Sequence, residues 1–160
     1  MNILVTGGAG YIGSHVCKKL ALNGYHPITY DNLSRGNRWS VKWGPIEVGD
    51  ILDHDHLKKV FKKYKPIAVM HFAAFAYVRE SVDNPALYYS NNVSGTLSLL
   101  NAMIASEISL IVFSSSCSTY GIPKHSPVKD NHPQNPINPY GASKLMIERI
   151  LEDFHNSYRL

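Results

Sequence analysis

The sequence predicts an α/β fold in which helices cover both faces of a doubly wound parallel sheet. Short apolar segments rich in β-branched residues alternate with longer segments of helical spacing along most of the chain. The first apolar segment leads directly into a glycine-rich turn that opens the first helix. Such segments form parallel strands joined by right-handed crossovers, so ligand sites are expected at the carboxyl ends of the strands.

The predicted strands and helices follow one another in regular alternation. Strands are expected near residues 2–6, 26–31, 45–49, 67–72 and 109–115, and helices near residues 11–23, 54–64, 84–106 and 139–157. Loops rich in Gly, Asn, Ser and Pro separate them at about 32–44 and 121–138. A chain of 160 residues with this pattern is expected to form about one domain.

The turn between the first strand and the first helix contains Gly7, Gly10 and Gly13. Gly7 can take the tight turn, Gly10 lets the backbone approach a pyrophosphate, and Gly13 lets the helix pack closely on the strand. The helix N-terminus then faces the anion. The spacing is one residue wider than G-x-G-x-x-G, and glycines also serve ordinary turns, but the strand-turn-helix context predicts a Rossmann-type dinucleotide site.

The second strand ends in Asp31, about 18 positions after Gly13. A carboxylate there can accept hydrogen bonds from both ribose hydroxyls of a dinucleotide and would repel a 2′-phosphate. NAD is therefore predicted rather than NADP. Arg35 and Arg38 follow in the next loop and leave NADP as the alternative.

The helix near residues 54–64 has a lysine-coated outer face over an apolar inner one. These two faces are formed by Lys58, Lys59, Lys62, Lys63, Lys65, Leu57, Val60, Phe61 and Tyr64. The modest net charge of +4 comes largely from this solvated face, so neither nucleic acid nor a membrane is expected as a partner. The preceding Asp-His-Asp-His cluster at 53–56 is interpreted as helix capping, and no metal site is predicted.

Composition limits the class of protein further. No apolar run approaches the roughly 18 residues of a membrane span, and the N-terminus lacks the layout of a signal peptide. A soluble, cytoplasmic protein is therefore expected. Cys17 and Cys117 are too few for a disulfide framework or a zinc site, and Cys17 is interpreted as a small packing residue of the first helix.

The last helix is predicted to begin with Asn138 as its cap and Pro139 in the first helical position. Tyr140 and Lys144 are four residues apart and so lie on one face. A neighbouring ammonium group favours the ionised form of a phenol, which allows a tyrosine to act as a general base. The Y-x-x-x-K pattern alone is common, but here three serines at 114–116 end the preceding strand and offer a hydroxyl that could share the proton.

Further motifs occur in order along nearly all of the chain: TGGAGYIG at 6–13, DNL at 31–33, GDI at 49–51, HFAA at 71–74, ES at 80–81, YY at 88–89, NNVSGT at 91–96, SSSCSTYG at 114–121 and YGASK at 140–144. In these segments the chain resembles the extended short-chain dehydrogenase/reductase family, and within it the UDP-sugar 4-epimerases of the UDP-glucose 4-epimerase type.

The resemblance implies an NAD site and a catalytic set. The NAD contacts it implies are Tyr11 and Ile12 at the pyrophosphate, Asp31 and Asn32 at the ribose, Asp50 and Ile51 at the adenine, Phe72, Ala73 and Ala74 beside the cofactor, and Asn91 as a polar contact. It implies Ser116, Tyr140 and Lys144 as catalytic residues, with Ser118 as a second candidate for the hydroxyl. Tyr140 would take the proton of the sugar 4-hydroxyl, assisted by Ser116, while C4 gives its hydride to tightly held NAD. Lys144 would bond the nicotinamide ribose and favour the phenolate.

Several alternatives stay open within the fold. Residues 76–78, the Cys117 region and residues 136–140 also resemble UDP-arabinose/UDP-xylose 4-epimerases. A sugar-nucleotide 4,6-dehydratase is less favoured, because it would carry an Asp-Glu pair where Cys117 and Ser118 stand. Two positions depart from the epimerase pattern: Ala76 replaces a lysine of some members, and Arg79 replaces a glycine and is expected to point to solvent.

Members of this family continue well past residue 160, with the last strands of the dinucleotide-binding domain and a smaller region that holds the UDP-sugar. The resemblance therefore implies an NAD-binding part, residues 1–160, without that substrate region. A nucleotide-binding fragment that turns over no UDP-sugar by itself is a further alternative. Related epimerases form dimers through two long helices, which here are the segments 84–106 and 139–157; their apolar faces could equally belong to the core.

Overall fold

The computed structural model describes residues 1–160 and contains one five-stranded parallel sheet. Its strands are β1 (Asn2–Thr6), β2 (His26–Asp31), β3 (Ile46–Val48), β4 (Ala68–His71) and β5 (Ile111–Phe113). The strand order is β3-β2-β1-β4-β5, so β1 lies at the centre and β2 and β4 lie on either side of it. The predicted parallel sheet is confirmed, although β3 and β5 are shorter than expected.

Six α-helices connect or follow the strands. They are α1 (Tyr11–Leu22), α2 (His54–Tyr64), α3 (Val78–Asp83), α4 (Pro85–Tyr88), α5 (Gly95–Ala105) and α6 (Pro139–Tyr158). Short 3-10 helices occupy Arg38–Ser40 and Cys117–Thr119. None of the helices is both long enough and apolar enough to pass through a bilayer.

The prediction of one helix over residues 84–106 is wrong in its detail. The segment consists of α4, a π-helical segment at Tyr89–Ser94, and α5, which follow one another without a break. A π-helical turn contains extra backbone that apolar spacing does not reveal, because the residues around it keep a near-helical period. The short helix α3 was not predicted either, since six residues are too few to show a period.

The helix caps agree with the prediction. Asp53 Oδ1 accepts a hydrogen bond of 2.9 Å from the backbone N–H of His56 at the start of α2. Asn138 Oδ1 accepts one of 2.8 Å from the N–H of Gly141, and Pro139 occupies the first position of α6. Because α6 begins where the chain leaves the loop after β5, this cap fixes the direction in which Tyr140 enters the fold.

The alternation of side chains along β1 divides the core into two layers. Leu4 belongs to the larger cluster, which packs against α2 and α5 through residues that include Phe61 and Leu100. Ile3 and Val5 face the other side, where Cys17 of α1 covers them. Cys17 is buried, as the packing interpretation expected. The sheet is thus covered on both faces, and its strand ends remain available for a site.

Candidate active site

A cleft of about 430 Å³ lies at the carboxyl ends of the strands. Since β2 and β4 both pair with β1, the loops that follow them lie on either side of the glycine turn that follows β1. The loop after β2 forms one wall of the cleft, and the segment from 72 to 77 after β4 forms the other. Tyr140 and Lys144 of α6 complete the lining beyond β4. This is the position that the parallel-sheet rule predicts.

The three glycines of the turn have different surroundings. A Cβ on Gly7, which has a positive φ of 70°, would lie 2.6 Å from the backbone N of Ala73. A Cβ on Gly13 would lie 2.2 Å from the carbonyl oxygen of Gly7. A Cβ on Gly10 would meet only that same oxygen, at 3.2 Å, and Gly10 lines the cleft. Gly7 and Gly13 are therefore needed for close backbone packing, whereas Gly10 keeps the floor of the cleft open.

The N-terminus of α1 opens onto this floor. Tyr11 and Ile12 line the cleft, and their side chains are largely exposed. The first turn of a helix presents backbone N–H groups that have no partner within the helix, and its dipole favours an anion. The turn and the helix together make an open cradle with the polarity that favours an anionic group such as a pyrophosphate.

Asp31 lies at the end of β2 with its carboxylate held in place by the backbone. Its Oδ2 accepts a hydrogen bond of 3.0 Å from Ala9 N–H, and its Oδ1 accepts one of 2.8 Å from Leu33 N–H. The side chain is buried but lines the cleft. Each carboxylate oxygen has a further lone pair, so both can accept a bond from a ribose hydroxyl.

The two residues predicted to contact the adenine, Asp50 and Ile51, differ in their position relative to the cleft. Ile51 lines the cleft, whereas Asp50 does not. The Asp50 carboxylate instead accepts hydrogen bonds from Asn32 Nδ2, at 2.8 Å, and from Leu52 N–H, at 2.9 Å. Asn32 itself lines the cleft, so Asp50 is placed behind it and orients its amide.

Tyr140 and Lys144 are brought to the same cleft by successive turns of α6. Lys144 is only 3% exposed, and its Nζ donates a hydrogen bond of 2.8 Å to the Ser114 carbonyl. The same ammonium lies 4.6 Å from the ring centroid of Phe113. Burial lowers the pKa of Lys144 to about 8. The Tyr140 ring packs edge-on against Tyr88, with 6.4 Å between ring centroids.

The three serines after β5 have separate surroundings. Ser114 lines the cleft, but Ser116 does not. Ser116 Oγ accepts a hydrogen bond of 3.2 Å from Ser118 N–H and caps the 3-10 helix that follows. The Ser115 hydroxyl donates to Glu148 of α6. Because Ser116 Oγ serves as an acceptor in this bond, its own hydrogen stays available for donation.

Asn91 and Asn92 are neighbours in the π-helical segment but have different environments. Asn91 lines the cleft, as the resemblance implies. Asn92 is fully buried; its Oδ1 accepts from Phe75 N–H at 2.8 Å, and its Nδ2 donates to the Phe75 carbonyl at 3.0 Å and to Ser143 Oγ at 3.1 Å. Asn92 thereby ties the wall after β4 to α6, next to Lys144. Such π-helical turns are frequent at functional sites.

The structure adds lining residues that the sequence analysis did not assign to the site: Tyr30, Ser34, Arg35, Gly36, Asn37, Gly49, Phe75, Ala76, Tyr77 and Ser114. Nearly all lie at or just after the ends of β2, β3 and β4. Their signal in the sequence is their position in the loops that follow predicted strands, because ligands of a parallel sheet bind at those loops. Arg79, by contrast, lies outside the cleft, and its exposed side chain pairs with Asp83, in agreement with the expectation that it points to solvent.

Comparison with known proteins agrees with this geometry. Residues 3–160 match the family described as "NAD dependent epimerase/dehydratase family". The chain belongs to this family, and the predicted cofactor, NAD, is confirmed. The predicted likeness to the UDP-glucose 4-epimerases is confirmed as well.

Among the relatives, the UDP-glucose 4-epimerase of Rhizobium meliloti (strain 1021) is 54% identical over 96% of this chain and 47% of its own length. The putative UDP-arabinose 4-epimerase 2 of Arabidopsis thaliana is 44% identical over 96% of this chain and 39% of its own length. The crystal structure of UDP-glucose 4-epimerase from Brucella ovis in complex with NAD is 53% identical, with a TM-score of 0.98 over 99% of this chain and 49% of that one. The chain thus spans about half the length of the relatives that it matches.

Proposed function

We propose that this chain is the NAD-binding part of a UDP-sugar 4-epimerase that interconverts UDP-glucose and UDP-galactose through a transient 4-keto sugar. The observation that carries the proposal is one cleft that holds a pyrophosphate cradle, a ribose-binding carboxylate and the Tyr140–Lys144 pair. The identity of 54% to the Rhizobium meliloti enzyme supports the same reaction class.

The residues present fit NAD from end to end. The cradle around Gly10 accepts the pyrophosphate, and Asp31 accepts the adenosine ribose hydroxyls. Ile51 would lie against the adenine, with Asp50 behind Asn32 and not in direct contact with the cofactor. The wall from Phe72 to Ala74 would lie along the cofactor. Asn91 would contribute a polar contact to the cofactor. When bound there, NAD supplies an acceptor that takes a hydride from sugar C4 and returns it.

Transfer of the proton of the sugar 4-hydroxyl is then assigned to Tyr140, with Lys144 and Ser116 assisting. The Tyr140 oxygen, as phenolate, accepts the proton of the sugar 4-hydroxyl while the C4–H bond breaks, and it returns the proton when the hydride comes back on the opposite face of the sugar. With its pKa at about 8, Lys144 stays mostly protonated at neutral pH and stabilises that phenolate. Ser116 does not line the NAD cleft itself, but its hydroxyl hydrogen is free to donate, and we propose that it shares the proton.

The test is Tyr140→Phe in the complete reading frame that encodes this chain. We expect the rate of UDP-galactose formation from UDP-glucose to fall by at least about 100-fold, while NAD remains bound. Tyr158→Phe, at the exposed end of the same helix, is the matched control and should keep full activity. Activity of Tyr140→Phe within a few fold of that control would contradict the assignment.

The isolated chain is expected to bind NAD without turnover. Measurable epimerisation by residues 1–160 alone would contradict the proposal that this chain is only the NAD-binding part of the enzyme.

A UDP-pentose is the second candidate substrate. The 44% identity to the Arabidopsis thaliana relative favours it, together with Ala76 and Tyr77 in the cleft wall. Assays with UDP-glucose and UDP-xylose in parallel distinguish the two, because the preferred sugar has the higher kcat/KM.

We expect no 4,6-dehydratase activity, since Cys117 and Ser118 stand where the acidic pair of that reaction would be.

A homodimer through the two long helices also belongs to this proposal. Met146 on α6 is 45% exposed and offers an apolar contact, whereas Leu99, Leu100 and Met103 of α5 are buried in the core of the chain itself. An interface would therefore depend more on α6 than on α5. Light scattering over a range of concentrations checks this, and a monomer at every concentration would exclude it.

A further inference from the structure

The loops on either side of the glycine turn are joined by an ion pair between Arg35 and Glu80. Arg35 belongs to the wall after β2, and Glu80 lies on α3 beyond the wall after β4. Arg35 Nη2 donates to both carboxylate oxygens of Glu80, at 2.6 and 2.8 Å. The two residues are 45 positions apart in sequence, so the contact exists only because the sheet order places their loops on either side of β1.

The guanidinium group of Arg35 is also held by aromatic rings of the opposite wall. Its central carbon lies 4.8 Å from the ring centroid of Phe75 and 4.8 Å from that of Tyr77. A planar cation at this distance from aromatic rings gains cation–π attraction in addition to the ion pair. Arg35, Phe75 and Tyr77 all line the cleft. The side chain of Arg35 therefore spans the space between the two walls.

Glu80 is held from behind by Tyr88. The Tyr88 hydroxyl donates a hydrogen bond of 2.7 Å to Glu80 Oε2, and the hydrogen bonds from Tyr88 and Arg35 lower the pKa of Glu80 below its ordinary value. Burial and the Glu80 carboxylate raise the pKa of Tyr88 to about 12, so its hydroxyl remains a donor. The Tyr88 ring in turn contacts the ring of Tyr140. The ion pair is thus continuous, through one residue, with the proposed general base.

We propose that Arg35 and Glu80 form a clasp that retains bound NAD, and that the cofactor enters or leaves when this ion pair opens. A dinucleotide that joins Asp31, at the end of β2, to Lys144, beyond β4, must cross the glycine turn. The clasp crosses the same gap. Because both side chains are about one-third exposed, the pair is weak enough to open without unfolding the walls. The inference rests on the proposed function only in taking NAD as the ligand.

The experiment measures the release of NAD from the chain. Protein loaded with radiolabelled NAD is mixed with excess unlabelled NAD, and the dissociation rate is followed for Arg35→Gln, Glu80→Gln and the double variant. We expect each single variant to release NAD about five- to tenfold faster than the wild type. Since the two residues act as one clasp, the double variant should release it no faster than the faster single variant. Arg79→Gln, which removes an exposed arginine on the same helix as Glu80, is the matched control and should release NAD at the wild-type rate.

Three results would overturn the clasp. They are release rates of Arg35→Gln and Glu80→Gln equal to that of Arg79→Gln, an effect of Arg35→Gln alone, and a wild-type chain that retains no NAD. Arg35→Lys gives a second measure, because it keeps the charge but loses the planar guanidinium that lies against Phe75 and Tyr77; it should release NAD at an intermediate rate. Circular dichroism of each variant verifies folding. No sugar is present in the assay, so failure of the proposed epimerisation leaves these rates unchanged and is told apart from failure of the clasp.

Discussion

At the scale of single residues, Lys144 combines an unfavourable burial of charge with a proposed chemical role. Its ammonium group is almost completely buried and has the Ser114 carbonyl as its hydrogen-bond acceptor. Burial of a charge with so little compensation is unfavourable, which is the physical cause of its lowered pKa. A residue kept under such conditions is typical of an active site, because the same burial strengthens its electrostatic effect on a neighbouring phenol.

Lys144→Met is therefore expected to stabilise the NAD-free chain at pH 7 by about 1–2 kcal/mol, part of the gain being offset by the Ser114 carbonyl that loses its donor. The folded-state pKa, about 8, lies below the ordinary 10.5, so the unfolded chain binds the extra proton between these pH values. Wild-type stability rises with pH across that window, and the advantage of the variant shrinks. Urea unfolding at pH 7 and pH 10 measures this, with Lys62→Met, on the exposed face of α2, as the control. A destabilised variant at pH 7 would contradict the account.

At the scale of elements, different glycines of the turn after β1 serve backbone packing and proposed ligand binding. Gly7 and Gly13 allow β1, α1 and the wall after β4 to approach closely, whereas Gly10 only leaves space in the cleft. Gly10 has φ −80° and ψ 177°, a conformation that alanine also adopts. The two kinds of glycine are therefore distinguishable by substitution.

Gly13→Ala is expected to lower the free energy of unfolding by about 2–3 kcal/mol, because its Cβ would clash with the Gly7 carbonyl at 2.2 Å. Gly10→Ala should change stability by less than about 1 kcal/mol but weaken NAD binding at least about tenfold, since its methyl group occupies the pyrophosphate cradle. Urea unfolding and NAD titration of both variants, each serving as the control for the other, measure the difference. Unchanged NAD affinity in Gly10→Ala would contradict the location of the cradle.

At the scale of the whole molecule, a buried polar chain connects the sheet to the helices. His71 of β4 is fully buried; Thr6 of β1 lies 2.6 Å from its Nδ1, and Thr96 of α5 lies 2.9 Å from its Nε2. Thr96 in turn donates to the Asn92 carbonyl at 2.6 Å. Burial, and to a smaller extent the charge of Lys144, lower the pKa of His71 to about 3. The network therefore requires a neutral imidazole.

This requirement predicts how the chain responds to acid. Because the folded-state pKa of about 3 lies below the ordinary 6.5, the unfolded chain binds a proton that the folded chain does not, and stability falls as the pH drops below about 6.5. The slope attributable to His71 approaches about 1.4 kcal/mol per pH unit. His71→Gln should be less stable at pH 7 but lose less stability between pH 7 and pH 5, as measured by urea unfolding. His155→Gln, exposed near the end of α6, should keep the wild-type slope. Equal slopes for His71→Gln and wild type would contradict this origin of acid sensitivity.

Local signals in the sequence were sufficient for much of the architecture. Apolar spacing identified every strand and the helices α1, α2 and α6, and the capping roles of Asp53 and Asn138 followed from residue type and position. The Tyr140–Lys144 pair could be placed on one helical face because a four-residue separation dictates it. The boundaries of α3 and the π-helical segment could not be predicted, since they depend on contacts such as those of Asn92 with Phe75 and Ser143.

The sequence by itself determined the class of fold, the glycine turn with its acidic partner Asp31, and the placement of Tyr140 and Lys144 on one helical face, because each depends on spacing within a short segment. Only the tertiary structure decided that Arg35 reaches Glu80, that Asp50 stands behind Asn32, and that Ser114 rather than Ser116 lines the cleft. These contacts join loops that are adjacent through the strand order β3-β2-β1-β4-β5 and not through the chain. The physical reason for these contacts is the parallel sheet, which aligns the ends of strands that are distant in sequence at one edge. Side chains in the loops that follow those strands therefore come within contact distance.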